Sequence, residues 1–138
     1  MKNNVEKMSN LIDRCSFAII SSIDENGFPN SKAMLKPRIR EGIKEFYFTT
    51  NTSSMRVNQY LKNPKACIYF CDGSFFKGIM LIGNMEVLND KDSKEKVWRE
   101  GDDLYYPLGV TDPDYCVLKF VAISGRYYSD FKSESFDI

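Results

Sequence analysis

Six runs of β-branched and aromatic residues, separated by tight turn signals, constrain this chain more than any other feature. The first two, SFAIISSI and the segment from Asn30 to Arg40, flank Asp24-Glu25-Asn26-Gly27. Asn-Gly tolerates the positive φ of a hairpin turn, so these runs fold back on each other. Glu41-Gly42 turns the chain again into IKEFYFTT, and ACIYFCD, GIMLIGNMEVL and CVLKFVAISGRYYS complete the set. Gly83 inside the fifth run predicts a bulge or a close backbone approach. Strands joined by tight turns pair antiparallel, and closing such a sheet removes its exposed edges. The pattern predicts a mainly β fold, a six-stranded antiparallel barrel of Greek-key type, as one domain over residues 1–138.

Three short helices punctuate the strands. Val5, Met8, Ile12 and Cys15 recur at helical spacing and predict a helix over 3–14. MRVNQYLK predicts a second, stopped at Asn63-Pro64 because a residue before proline is pushed out of the α region. Asp90 to Glu100 predicts a third, capped by Asp92 or Ser93. GDDLYYPLGVTDPD reads as irregular.

Composition narrows the chemistry. With 43% hydrophobic and 28% charged residues, neither disorder nor a membrane protein is indicated. No apolar run approaches the ~20 residues of a bilayer span, and MKNNVEKMSN lacks a signal-peptide stretch, so the cytoplasm is expected. A net charge of zero argues against a dedicated nucleic-acid binder. The absence of histidine removes the commonest general base and the usual haem ligand. Without a secretion signal, Cys15, Cys67, Cys71 and Cys116 are expected as reduced thiols; Cys67 and Cys71 share one strand face and read as buried and structural, not as a metal site.

Three constellations can carry function. Thr49, Thr50, Thr52, Ser53 and Ser54 lie between a strand and a helix, followed by Arg56. A helix start with hydroxyls and a guanidinium suits a phosphate, though Ser53 or Ser54 as a plain cap beside a solvated arginine accounts for it equally. Lys32, Lys36, Arg38 and Arg40 fall on one face of a regular strand, with Pro37 needing an edge or a bulge. That face is either solvated or an anion groove, with single-stranded nucleic acid a weaker reading. Trp98 with Tyr105 and Tyr106 either anchors a helix or touches a planar ligand. No dinucleotide fingerprint and no P-loop are present.

In their order, FYFTTNTSSMRVNQYLKNPKACIYF, IMLIGNMEVLND, VWRE and YYPLGVTDPDY resemble the pyridoxamine 5′-phosphate oxidase-like FMN-binding split-barrel family, and most of all its general stress protein branch. The resemblance implies a six-stranded split barrel, a homodimer, and FMN in clefts between subunits. It implies phosphate contacts from Lys32, Thr49, Thr50, Ser54 and Arg56, and an isoalloxazine edge along the backbone at Met34 and Leu35. Where the oxidase has arginine then lysine, this chain has Met55 then Arg56. Lys36 precedes Pro37 at the family's lysine position, and Lys77 precedes Gly78 where the family has glutamine. Lys36, Lys77 and Trp98 complete the expected cofactor-binding set. The oxidase's carboxy-terminal substrate segment has no counterpart in SDFKSESFDI. The expected function is an FMN-dependent oxidoreductase of unknown substrate with no catalytic side chain assigned. A non-catalytic flavin-binding stress module or a deazaflavin-binding relative are the alternatives.

Overall fold

The computed structural model describes residues 2–73 and 76–138. The first hairpin forms where expected: β1 (Phe17–Ile23) and β2 (Pro29–Leu35) pair antiparallel from Phe17 opposite Leu35 to Ile23 opposite Pro29. Asp24 organises the turn, its carboxylate accepting the Asn26 and Phe28 N–H groups at 3.0 and 2.9 Å and the Asn30 amide at 3.1 Å. Gly27 takes a φ of 82°, open to glycine without strain.

The run from Asn30 to Arg40, read as one strand, is two. After β2 ends at Leu35, β3 (Ile39–Glu41) pairs with β4 (Glu45–Asn51). Pro37 supplies the reason, since it brings no N–H to a ladder and restricts the residue before it. The remaining ladder strands are β5 (Lys65–Cys71), β6 (Gly78–Leu88) and β7 (Tyr115–Ser129), giving the order β2-β1-β5-β6-β7-β4-β3. The two halves of the broken strand therefore lie at opposite edges of the sheet. Residues 36–38 bridge them, with Lys36 N–H donating to the Ser16 carbonyl at 3.2 Å and Arg38 N–H to the Tyr47 carbonyl at 2.8 Å. The sheet is thereby curled into a split barrel by its own chain. The pairings of β1 with β5 and of β4 with β7 skip over intervening strands, as a Greek-key path requires.

An eighth strand, β8 (Lys132–Asp137), forms a hairpin with β7 beyond the last predicted run. Its KSESFD sequence shows no apolar alternation, and only Phe136 is buried. The strand count is thus eight rather than six, because one predicted strand divides and one was unpredicted. At Gly83 both expectations hold: the β6–β7 register shifts there, and a Cβ on Gly83 would strike the Val121 carbonyl.

The barrel interior is filled from alternating positions. Phe46 and Phe48 of β4, Ile68 and Phe70 of β5, Ile79 and Leu81 of β6, and Leu118 and Phe120 of β7 are all at most 2% exposed. Phe46 packs against Phe70 and Phe120 at ring separations of 5.6 and 6.2 Å. Helix α1 (Lys2–Arg14) plugs one side with Met8, Leu11 and Ile12, and α2 (Met55–Lys62) adds Val57 and Tyr60. Helix α3 (Lys91–Val97) is shorter than predicted and is capped by Asp90, whose carboxylate accepts the Ser93 N–H at 3.0 Å, rather than by Asp92 or Ser93. It covers a second, smaller core on the outer face of β4 and β7, built on Tyr47, Val97, Tyr106, Tyr115 and Val117. Cys67 and Cys71 do share one face of β5, but Cys67 is half-buried and Cys71 exposed, because that face points outward. Among the described residues no helix is long and apolar enough to cross a membrane.

Candidate functional site

The seam of the barrel is where a site can form. There the end of β2, the 36–38 bridge, the end of β4 and the start of α2 converge around a cleft of about 250 Å³. Six of the ten residues expected to hold a cofactor line it: Met34, Leu35, Lys36, Thr49, Thr50 and Arg56. The other four do not. Lys32 is exposed on β2 opposite Ile20, two residues before Met34 on the same face. Ser54 is the cap of α2, its hydroxyl accepting the Val57 N–H at 3.4 Å. Lys77 is half-exposed immediately before β6. Trp98 packs edge-on against Tyr115 at 5.1 Å and beside Tyr106 at 6.3 Å, half-buried against the second core.

One end of the cleft suits an anion. The Arg56 guanidinium donates through Nη2 to the Thr50 hydroxyl at 3.2 Å, and Thr50 is buried. Its Nε is also buried and has no hydrogen-bond partner among the described residues. An unpaired buried guanidinium N–H is costly, and an anionic oxygen arriving from the cleft removes that cost. The neighbouring loop is tied to Asp114, while its Thr52 hydroxyl is buried with no partner among the described residues. Asp114 accepts the Asn51 amide at 2.7 Å and the Ser53 N–H at 2.8 Å, and these bonds hold its carboxyl below the ordinary range.

The other end carries a charge pair that sequence spacing did not reveal. Arg38 donates twice to Asp102, at 2.9 and 2.8 Å, with side chains only 16% and 6% exposed. Asp102 also accepts the Arg99 N–H at 2.8 Å. The Arg38 guanidinium, first through its hydrogen bonds, holds the Asp102 carboxyl below its usual value. Arg38 lies beside Tyr47, three residues along β4 from Thr50, so the two ends stand about 10 Å apart at ~3.3 Å per residue. Tyr105 and Tyr106 complete this end. Burial pushes the Tyr106 phenol up to about 12, which keeps it protonated at neutral pH. No local signal marks Asp102 as the partner of a residue 64 positions away.

A curled antiparallel sheet, closed by one bent strand and opening a cleft at that seam beside a helix start, defines a split-barrel protein. The chain belongs to the pyridoxamine 5′-phosphate oxidase family, whose family model matches residues 5–129. A Clostridium acetobutylicum protein related to general stress protein 26 and described as of the pyridoxinephosphate oxidase family is 40% identical, with a TM-score of 0.91 over 100% of this chain and 96% of that one. The pyridoxine/pyridoxamine 5′-phosphate oxidase of Legionella pneumophila is 28% identical over 75 residues, 54% of this chain and 34% of that protein. The match thus spans about a third of the curated relative's length. A heme binding protein from Mycobacterium smegmatis shares the fold alone, at 12% identity and a TM-score of 0.75 over 96% of this chain and 57% of that one.

Proposed function

We propose that this chain binds FMN in the seam cleft as a homodimer and acts as a flavin-dependent oxidoreductase in the cytoplasm. The observation that carries this reading is Arg56, at the cleft wall and the start of α2, whose buried guanidinium Nε has no partner among the described residues. A phosphate there meets Arg56, the Thr50 hydroxyl and the positive end of the helix dipole together. Lys32 and Lys77 lie outside the walls that a single chain gives the cleft. Met34 and Leu35 offer backbone and apolar surface along the cleft, suited to the edge of a flat tricyclic ring. Bound FMN supplies hydride or electron transfer at its N5, and the protein supplies binding and orientation.

Support for the dimer comes from the outer face of the sheet. Leu35 opposite Phe17, Ala33 opposite Ile19 and Tyr69, then Met80 and Ile82, form an outward row crossing β2, β1, β5 and β6. Leu35, Phe17 and Ile82 are 75%, 52% and 45% exposed. Contiguous apolar surface of this kind marks an interface. Ala33 and Leu35 belong both to this row and to the cleft, so a second copy on the row walls the cleft.

The test is a spectrum followed by a substitution. The purified protein is expected to show flavin bands and to release FMN on denaturation. A haem spectrum or a deazaflavin spectrum overturns the cofactor assignment. Removing one partner of a largely desolvated charge pair costs roughly 2–5 kcal/mol. Arg56→Ala is therefore expected to weaken FMN about thirtyfold or more, at ~1.4 kcal/mol per decade. Riboflavin, which lacks the phosphate, should be nearly unaffected. Equal losses for the two ligands, or none for FMN, contradict a phosphate contact.

A further inference from the structure

Three apolar side chains are held out of the fold by a segment that is otherwise firmly anchored. Leu104, Tyr105 and Leu108 are 84%, 70% and 69% exposed. Their segment is fixed at one end by Asp102, bonded to Arg38 and to the Arg99 N–H. At the other end the Asp112 carboxylate accepts the Leu108 and Asp114 N–H groups at 3.2 and 2.9 Å, while its carbonyl accepts the buried Lys94 ammonium at 3.1 Å. Beneath the segment Tyr106 packs on Tyr115 at 4.9 Å. Of the three exposed side chains, Tyr105 borders the cleft, as the exposed Leu35 also does.

The basic groups around Tyr105 are already engaged within the fold. Arg38 is neutralised by Asp102, and Arg40 makes two bonds to Asp13 at 3.0 and 2.8 Å. Lys36 donates to the Asp13 carbonyl at 3.1 Å, and Arg99 donates to the Arg38 carbonyl. The cleft is therefore asymmetric: at the Arg56 end a guanidinium N–H lacks a partner among the described residues, whereas at the Tyr105 end the guanidinium groups are engaged and the Tyr105 ring is free. An anion entering the Tyr105 end gains little from guanidinium groups already bonded within the fold.

We infer that Tyr105 is the specificity-determining platform of this cleft, stacking a flat, uncharged ring compound, while the Arg38–Asp102 pair makes the same end discriminate against anionic compounds. This rests on the reading of the cleft as a flavin site and names the class of second ligand that site takes. Aromatic stacking of this kind changes affinity by roughly three- to tenfold.

The experiment measures binding of menadione, an uncharged naphthoquinone, and of a sulfonated naphthoquinone to oxidised, FMN-loaded protein by equilibrium dialysis, with flavin content recorded in parallel. Tyr105→Ala is expected to weaken menadione three- to tenfold, and Tyr105→Phe to keep wild-type affinity, each compared per flavin-loaded protein. The sulfonated compound is expected to bind wild type at least tenfold more weakly than menadione, and Asp102→Asn to narrow that gap at least fivefold. Equal menadione affinity in wild type and Tyr105→Ala, or no menadione binding at all, overturns the platform. Sulfonate binding as tight as menadione in wild type overturns the discrimination. Tyr105-dependent menadione binding to a protein that holds no flavin upholds the platform and overturns the flavin reading alone.

Discussion

At the residue scale, the pair most exposed to test is Arg38 with Asp102. Nearly buried charges stabilise only when they are matched, and removing one member leaves the other desolvated and unpaired. Asp102→Asn is expected to cost about 3 kcal/mol at pH 7. The pH dependence has a definite sign. Arg38 lowers the Asp102 carboxyl in the folded state, so the stability it contributes is present above the unfolded value near ~3.9 and is lost as pH falls through the lower folded value. Urea midpoints of wild type and Asp102→Asn should therefore converge as pH drops from 7 toward 3. A gap that stays constant over that range would mean the carboxylate is not acting as an ion. Arg38 was legible in the sequence as part of a basic row, but its role was not. Spacing placed it with Lys32, Lys36 and Arg40 on one strand face, whereas Pro37 broke that strand and turned Arg38 toward a carboxylate from a distant loop.

At the element scale, the β6–β7 ladder depends on Gly83. The register slips between Ile82 and Gly83, so that Ile82 faces Ser124 while Gly83 faces Ala122. The backbone of β7 passes where a side chain at 83 would stand. Because the obstacle is backbone rather than a flexible side chain, it cannot move without disrupting the ladder. Gly83→Val is expected to destabilise by more than about 3 kcal/mol, read as a lowered thermal midpoint or loss of soluble protein. A variant within about 1 kcal/mol of wild type would show that the bulge relaxes freely. Gly83 was legible because a glycine weakens a strand interior, so its presence within a run of β-formers marks a place where a side chain does not fit. By contrast β8 was not legible, since its only core contribution is Phe136 and an edge strand of charged and hydroxyl residues carries no periodic signal.

At the scale of the whole molecule, the prediction concerns assembly. The outward row from Leu35 to Ile82 is exposed at Leu35, Phe17 and Ile82 and borders the cleft. Light scattering is expected to give about twice the 16.0 kDa chain mass. Ile19→Lys places a charge in the centre of the row and is expected to yield monomer with weakened FMN binding, since the cleft then loses one wall. A wild-type monomer that binds FMN tightly, or an Ile19→Lys dimer, would show that the row is not the interface.

The amino-acid sequence alone determined the strand-rich pattern, the hairpin at Asn26-Gly27, two of the three helices to within a residue or so, and the family with its hydroxyl–arginine segment. These are local properties: turn chemistry, capping and periodicity act over a few residues and leave their mark in order along the chain. Only the tertiary structure decided which side chains meet. It divided the second predicted strand between opposite edges of the sheet and retained Ser54 as a cap. It packed Trp98 against a core, and it joined Arg38 to Asp102 across 64 positions. The reason is geometric, because a curled sheet brings residues together by closure. The partners at a seam are set by where the two edges meet, a condition that no short stretch of sequence contains.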